Sequence, residues 1–351
     1  MRKEAKSDPL RILIADDSPT ARTLLCAIFE GDPRVAVVGQ ARDGLEAVAL
    51  TARLRPSVVI LDIHMPGCSG LEATRRIMEQ APTPIVIISS TANVHDVKIS
   101  LEALRSGALA ICAKPMSDTD ASFAAERQKL IDTVVLMSDV KVVRRWRQGV
   151  GAASLRRLSS PPRVVAIAGS TGAPGALYSI LSELPSDFSA PILIVQHIGQ
   201  GFMAGLGAWL SAGCKLNIKL AEAHEPLAPA TVYIAPEDCH LGVSPTLCIQ
   251  LSQEPPIDCF RPAATHLFQS VAKVLGARAL GIILSGMGED GVAGLRLLHA
   301  AGGSVLAQDQ ASSVIFGMPG AAIRAGIVDA VLSPQEIGAL LRDTLSVRAE
   351  P

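Results

Sequence analysis

LRILIADDSPTARTLLCAIFE, residues 10–30, decides how the first half of this chain folds. Residues 10–16 form a mainly apolar run closed by Asp16, with a second acid, Asp17, directly after it. It is strand-sized and apolar on both faces, as in a parallel sheet covered on both sides. Residues 18–30 then switch to helical spacing. Working outward, VAVVGQA and GLEAVALTARL repeat the pair, as do PSVVILDIHM and SGLEATRRIMEQA. TPIVIISS and VHDVKISLEALRSG follow, and LAICAKP supplies a fifth strand. Strands alternating with helices specify βαβ units and a five-stranded parallel sheet, flavodoxin-like in order of elements. Such sheets place their chemistry outside the carboxyl ends of the strands.

A helix-compatible stretch from about residue 118 to 143 closes this unit. RRWRQGVGAASLRRLSSPPR then has the composition of a linker, its arginines serving a solvated hinge or a partner contact. The alternation resumes with RVVAIAGST, PILIVQH, TVYIAP, TLCIQLS, ALGIILSGMG and GSVLAQD. Helical candidates APGALYSILSEL, THLFQSVAKVLG and AGLRLLHAAG lie between them. This predicts a second doubly wound, mostly parallel α/β domain. The expected boundaries are 1–135, a linker over 136–162, and 163–351. A chain of 351 residues fits two domains at about 150 residues each.

Composition excludes several classes. Net charge is −1 and aromatics make up 3%, so neither a phosphate-binding field nor a base-stacking surface is predicted, and nucleic acid is not an expected partner. No apolar run approaches the roughly 18 residues that span a bilayer, and no signal peptide follows MRKEAKSDPL, so a cytoplasmic protein without membrane insertion is expected. The seven cysteines include no C-x-x-C pair and suit a reducing compartment, each expected as a small buried side chain. Cys239 and His240 are adjacent, a weak thiol–base candidate. His224 and His240 are expected at the surface or as capping groups rather than on a metal.

Asp16 and Asp17 end the first strand and Asp62 the third. With those strands adjacent, three carboxylates converge and repel one another unless a cation sits among them, and Mg²⁺ suits hard oxygen ligands. One carboxylate can then accept a phosphoryl group. Ser89 ends the fourth strand and Lys114 precedes Pro115 after the fifth, a hydroxyl and an ammonium placed to bind phosphoryl oxygens.

In the second half, VVAIAG runs into Ser170-Thr171-Gly172-Ala173, small residues around a serine at a strand-to-helix turn. A G-S-T-G turn suits a nucleophile or a phosphate. His197 follows ILIVQ directly, and Asp290 lies in the glycine-rich loop SGMGEDG. Serine, histidine and aspartate at three strand ends are the parts of an acyl-transfer triad: Ser170 attacks, His197 takes its proton, and Asp290 orients the imidazole. The backbone N–H groups of Thr171 and Met287 are candidate oxyanion donors, each worth about 3 kcal/mol in that role.

Residues from about 10 to 135 resemble a response-regulator receiver domain in D-D, D-x-x-M-P, S-S and K-P. The resemblance implies phosphorylation at Asp62, Mg²⁺ held by Asp16, Asp17, Asp62 and the His64 backbone carbonyl, and a switch through Ser89 and Lys114. Ser69-Gly70 stands where D-G is usual, and Ile111 where an aromatic switch residue is common. Residues 163 to about 345 resemble the catalytic domain of the CheB family of chemotaxis protein-glutamate methylesterases. AIAGSTGAP, IVQH, YIAPEDCHL, FRPAATHLFQSVA, GIILSGMGEDG and AQDQASSVIFGMPGAAI carry that likeness. It implies hydrolysis of glutamate methyl esters on methyl-accepting chemoreceptors with release of methanol, and deamidation of receptor glutamines. A chemotaxis histidine kinase is the implied phosphodonor, and the ester chemistry needs no cofactor. The unphosphorylated receiver is expected to cover the Ser170 cleft. Two other readings compete: a hydrolase acting on a membrane sensor outside chemotaxis, or mainly a glutamine deamidase, and a catalytically weak regulator that binds a partner when phosphorylated.

Overall fold

The computed structural model describes residues 9–89, 94–114, 123–140 and 161–345. Pro115 and most of the expected linker lie outside them. Two compact units divide the chain at residues 148 and 149.

In the first unit the strands are β1 (Leu10–Ala15), β2 (Val35–Ala41), β3 (Val58–Asp62), β4 (Ile85–Ser89) and β5 (Ala110–Ala113). They are joined by α1 (Pro19–Glu30), α2 (Gly44–Leu54), α3 (Gly70–Gln80) and α4 (Val94–Arg105), and α5 (Phe123–Ser138) closes the unit. The sheet is parallel with order β2-β1-β3-β4-β5. The chain reverses its winding direction between β1 and β3, so the crevice at their carboxyl ends lies between Asp16 and Asp62. β3 and β4 are buried along their whole length, which explains why they read as unbroken apolar runs.

The helices begin where the sequence supplies caps. Ser18 Oγ accepts from the Ala21 N–H, with Pro19 at the first turn, and Asp43 Oδ1 accepts from Glu46 N at 2.8 Å. Ser69 accepts from Glu72 N at 3.3 Å and so fills the N-cap role of the aspartate more usual there. Gly70 is required by proximity: a Cβ would run into the Asp62 carbonyl oxygen. The serine substitution therefore leaves this turn intact.

The second unit contains β6 (Val164–Gly169), α6 (Ala173–Ser182), β7 (Ile192–Gln196), α7 (Met203–Gly213), β8 (Asn217–Leu220) and β9 (Thr231–Ile234). It continues through β10 (His240–Val243), β11 (Ile249–Ser252), α8 (Ala264–Leu275), β12 (Ala279–Ile283) and α9 (Val292–Ala300). β13 (Ser304–Gln308), α10 (Met318–Arg324), β14 (Ala330–Leu332) and α11 (Pro334–Leu345) complete it. Seven strands form a parallel sheet in the order β14-β13-β12-β6-β7-β9-β8. The strand over TLCIQLS does not join it: β10 and β11 make a separate antiparallel hairpin. β6 is flanked by the next strand in the chain on one side and by a much later strand on the other, so the winding reverses at β6. Ser170 follows β6 directly, at that switch point. The core packs Leu267, Phe268, Val271 and Leu275 of α8 against Ala166, Leu193 and Ile283 of the sheet.

Candidate functional site

At the first crevice Asp16 and Asp62 are buried and Asp17 is exposed. One oxygen of each lies within 4.8 Å of the others. Lys114 Nζ stands 2.6 Å from Asp16 Oδ2 and 3.4 Å from Asp62 Oδ2. Burial pushes the Asp62 carboxyl up to about 6; Lys114 opposes this, and the Asp16 charge adds to it. Burial pulls Lys114 down, but the two carboxylates outweigh it and hold the ammonium above its ordinary range. Three hard oxygen donors, one of them pushed upward by burial and further by its neighbour's charge, fit a divalent cation such as Mg²⁺. Ser89 is fully buried at the end of β4, and the Lys114 N–H donates to its carbonyl at 2.9 Å. The His64 side chain turns away from the crevice to Asp96 of α4, Nε2 to Oδ1 at 2.8 Å. Ile111 is half-buried in β5.

In the second unit, sheet register brings the serine and histidine together. Gly169 is paired with Gln196, so Ser170 and His197 leave neighbouring strands side by side, and the His197 N–H donates to Gly169 O at 2.9 Å. Asp290 arrives from the loop after β12, the strand on the other side of β6. His197 Nε2 lies 3.0 Å from Asp290 Oδ2. Both ring nitrogens are buried and neither completes a hydrogen bond among the described residues; Nε2 faces Asp290, which leaves Nδ1 for a proton arriving from elsewhere.

Asp290 is held by a feature that local sequence does not show. The N-cap residue of α8 is Ala263, whose methyl cannot cap it. The carboxylate of Asp290 takes that place, accepting from Ala264 N at 2.7 Å and Thr265 N at 2.9 Å. Thr265 Oγ1 in turn accepts from Gly291 N at 2.9 Å. Burial pushes this carboxyl upward, but His197 and the two N–H donors outweigh it and hold it below the usual range. Asp290 is therefore a fixed anion.

The serine turn is equally constrained. Gln196 Nε2 donates to Ser170 O at 2.8 Å and to His197 O at 2.9 Å, tying the two strand ends together. A trans peptide points its C=O and N–H in opposite directions, so holding Ser170 O also aims the Thr171 N–H. Ser285 Oγ donates to Thr171 O at 2.7 Å. Gln308 holds this layer from behind, its Oε1 accepting from Ser285 N at 2.8 Å. Among the described residues neither the Thr171 nor the Met287 N–H donates to an acceptor. Gly286 lies so close that a Cβ would sit 2.8 Å from Ser170 Cβ.

Several expectations need correction. Of the two places expected for His240, the surface is wrong and the capping role stands: it is fully buried, Nδ1 accepting from the N–H of Ala263, the N-cap residue of α8, at 3.2 Å and Nε2 donating to Pro255 O at 3.2 Å. Both its nitrogens are occupied, so it is no base for Cys239. His224 is exposed, as expected. The cysteines are free, but only Cys26 and Cys68 are buried and Cys259 is exposed. The sequence reading assigned no roles to Gln196, Ser285, Gln308 or Phe260. Gln196 lies in the IVQH stretch, where a glutamine ending an apolar strand beside a histidine was the one available signal.

The same division appears in comparison with known proteins. Residues 12–124 match the response regulator receiver domain, and residues 165–341 match CheB methylesterase. A protein of Myxococcus xanthus (strain DK1622), protein-glutamate methylesterase/protein-glutamine glutaminase 4, is 49% identical over 96% of this chain and 97% of its own length. Protein-glutamate methylesterase/protein-glutamine glutaminase 3 of Anaeromyxobacter dehalogenans (strain 2CP-C) is 46% identical over 93% of this chain and 97% of its own. The second unit is similar to the crystal structure of the Thermotoga maritima CheB methylesterase catalytic domain, with a TM-score of 0.51 and 36% identity over 52% of this chain and 98% of that one. The fold and the comparisons thus define a hydrolase with a parallel α/β catalytic unit behind a receiver domain. The chain belongs to the CheB methylesterase family, whose curated members carry the name protein-glutamate methylesterase/protein-glutamine glutaminase.

Proposed function

We propose that this protein hydrolyses glutamate methyl esters on methyl-accepting chemoreceptors, and deamidates receptor glutamines, under control of phosphorylation at Asp62. The observation that carries the hydrolysis is the set Ser170, His197 and Asp290 at three adjacent strand ends, with an imidazole nitrogen 3.0 Å from a carboxylate held as an anion. Ser170 Oγ attacks the ester carbonyl as its proton passes to His197 Nδ1, and Asp290 stabilises the imidazolium. Thr171 N–H and Met287 N–H receive the oxyanion. Collapse expels methanol, which takes the proton from His197, and water then cleaves the glutamyl-serine ester by the same proton path. With a glutamine substrate the leaving group is ammonia.

In the receiver, Asp62 is the phosphoacceptor and Asp16, Asp17, Asp62 and the His64 carbonyl are the residues that would hold Mg²⁺. When bound, the ion neutralises charge on the transferring phosphoryl group. Ser89 and Lys114 contact the phosphoryl oxygens, and a chemotaxis histidine kinase is the donor. Residues 1–135 form the receiver and 163–351 the methylesterase, joined over 136–162, although α5 continues to Ser138. A cytoplasmic location accords with the described residues, among which no helix is long and apolar enough to cross a membrane.

Methanol release from methylated receptor tests the reading. The wild-type chain is expected to release methanol, faster after treatment with a small acyl phosphate and Mg²⁺, and Ser170→Ala to lose about 10⁴-fold or more. Equal release by Ser170→Ala rejects the serine mechanism, and unchanged rates after phosphorylation reject the control.

A further inference from the structure

The Phe260 ring, carried by a short segment beside the base, has no part in the proton path from Ser170 to His197. Residues 257–260 make a two-residue hairpin turn: Ile257 N donates to Phe260 O at 3.1 Å and Phe260 N to Ile257 O at 2.8 Å. Asp258 and Cys259, its central residues, have φ of 47° and 69°, the left-handed pair that such a turn requires. The turn delivers the Phe260 ring onto the His197 imidazole, centroids 4.2 Å apart and planes 4° from parallel. Buried His240 spans the base of the segment, accepting from Ala263 N and donating to Pro255 O. It is backed by His266, stacked on it at 4.8 Å, with the His266 Nδ1 donating to Leu241 O at 3.2 Å. The next two residues, Ala264 and Thr265, give their N–H groups to Asp290. One stretch of chain, anchored by His240, therefore touches both the base and the carboxylate that orients it.

The contact has a mechanical consequence for the imidazole. Its contact with Asp290 involves one nitrogen only, at 3.0 Å, and a single contact of that kind leaves the ring free to swing about its χ2 bond. A second flat ring lying parallel on its face blocks that swing, because any rotation drives an imidazole edge into the phenyl ring.

We infer that Phe260 is a positioning residue for the base: it locks the plane of His197 so that Nδ1 is presented to Ser170, with His240 fixing the loop that carries it. This rests on Ser170, His197 and Asp290 being the reacting set.

The test uses the full-length chain, with methanol release from methylated receptor and inactivation by a small fluorophosphonate as readouts. In the second reaction Ser170 Oγ bonds to phosphorus, fluoride leaves and the serine proton goes to His197, so the base is sampled without receptor binding. Phe260→Leu is expected to lower kcat and the phosphonylation rate together by about 10- to 100-fold, with KM changed less than about twofold. Phe260→Tyr, which keeps the stacked ring, is expected to stay within about threefold of wild type. His240→Leu is expected to depress both rates in the same ratio. If Phe260→Leu does not fold, as judged by its thermal melt, Phe260→Met takes its place. Wild-type phosphonylation by the Leu or Met variant overturns the inference, as does a loss confined to KM, which makes Phe260 a receptor contact instead. A Tyr variant as slow as Leu overturns it too. Ser170→Ala, run alongside, separates the failures: if it is inactive while Phe260→Leu is normal, only the positioning role falls, and if it is active, the triad falls with it.

Discussion

Each half of the chain buries a carboxylate at the reversal point of a parallel sheet, and the two are driven in opposite directions. Asp62 has little to compensate its burial except Lys114, shares its pocket with Asp16, and is pushed up to about 6. Asp290 is just as buried, yet two helix N–H groups and an imidazole hold it below the ordinary range. Desolvation is common to both, so the donors within reach decide the outcome. A carboxylate left short of donors is primed to take a cation and a phosphoryl group. One saturated with donors stays charged and serves to orient a base.

The largest effect expected from breaking this contrast is at Asp290. Asp290→Asn removes the anion and turns an amide N–H toward the helix donors, so kcat for methanol release should fall by about 10⁴-fold while phosphorylation at Asp62 stays at its wild-type rate. A loss below tenfold would show that the charge does not orient His197. Next is Gly286→Ala, whose new methyl must displace Ser170 or Met318. Moving the nucleophile by about 1 Å should cost on the order of 10²-fold in kcat, read by steady-state kinetics at unchanged receiver phosphorylation. The smallest effect is at Asp62, where protons and metal compete for the same oxygens. Below about 6 the carboxyl is protonated, so Mg²⁺ affinity by calorimetry should weaken about tenfold between pH 7 and pH 5. An unchanged affinity would place Asp62 outside the ligand set.

Stability should follow the same opposition. Because its folded value is raised, Asp62 binds more protons in the native state between its ordinary value and about 6, and its contribution to stability falls as pH rises through that window. Asp290, depressed, contributes stability above its ordinary value and loses it as pH falls through the lower folded one. Acid should therefore loosen the second unit where it relaxes the strain in the first.

Much of this was legible in the chain itself. Apolar runs alternating with amphipathic stretches implied both parallel sheets, and Asp16, Asp62, Ser170 and His197 declared themselves by ending strands. Periodicity is a local property, and so is the residue that terminates a run. Asp290 was legible as a loop acid but its partners were not, because the donors at Ala264 and Thr265 belong to a helix 25 residues earlier. The burial of His240 was hidden for the same reason: a histidine beginning a short strand gives no sign of the loop it will pin. Nor could the stretch FRPAATH announce that its phenylalanine lies on the base. Local pattern carries the succession of strands and helices and the chemical groups at their ends. The direction in which each buried carboxylate is driven, and the ring that lies on the imidazole, come from the packing of distant segments. Those outcomes depend on donors, charges and contacts brought together across many residues of intervening chain, where local pattern carries no information.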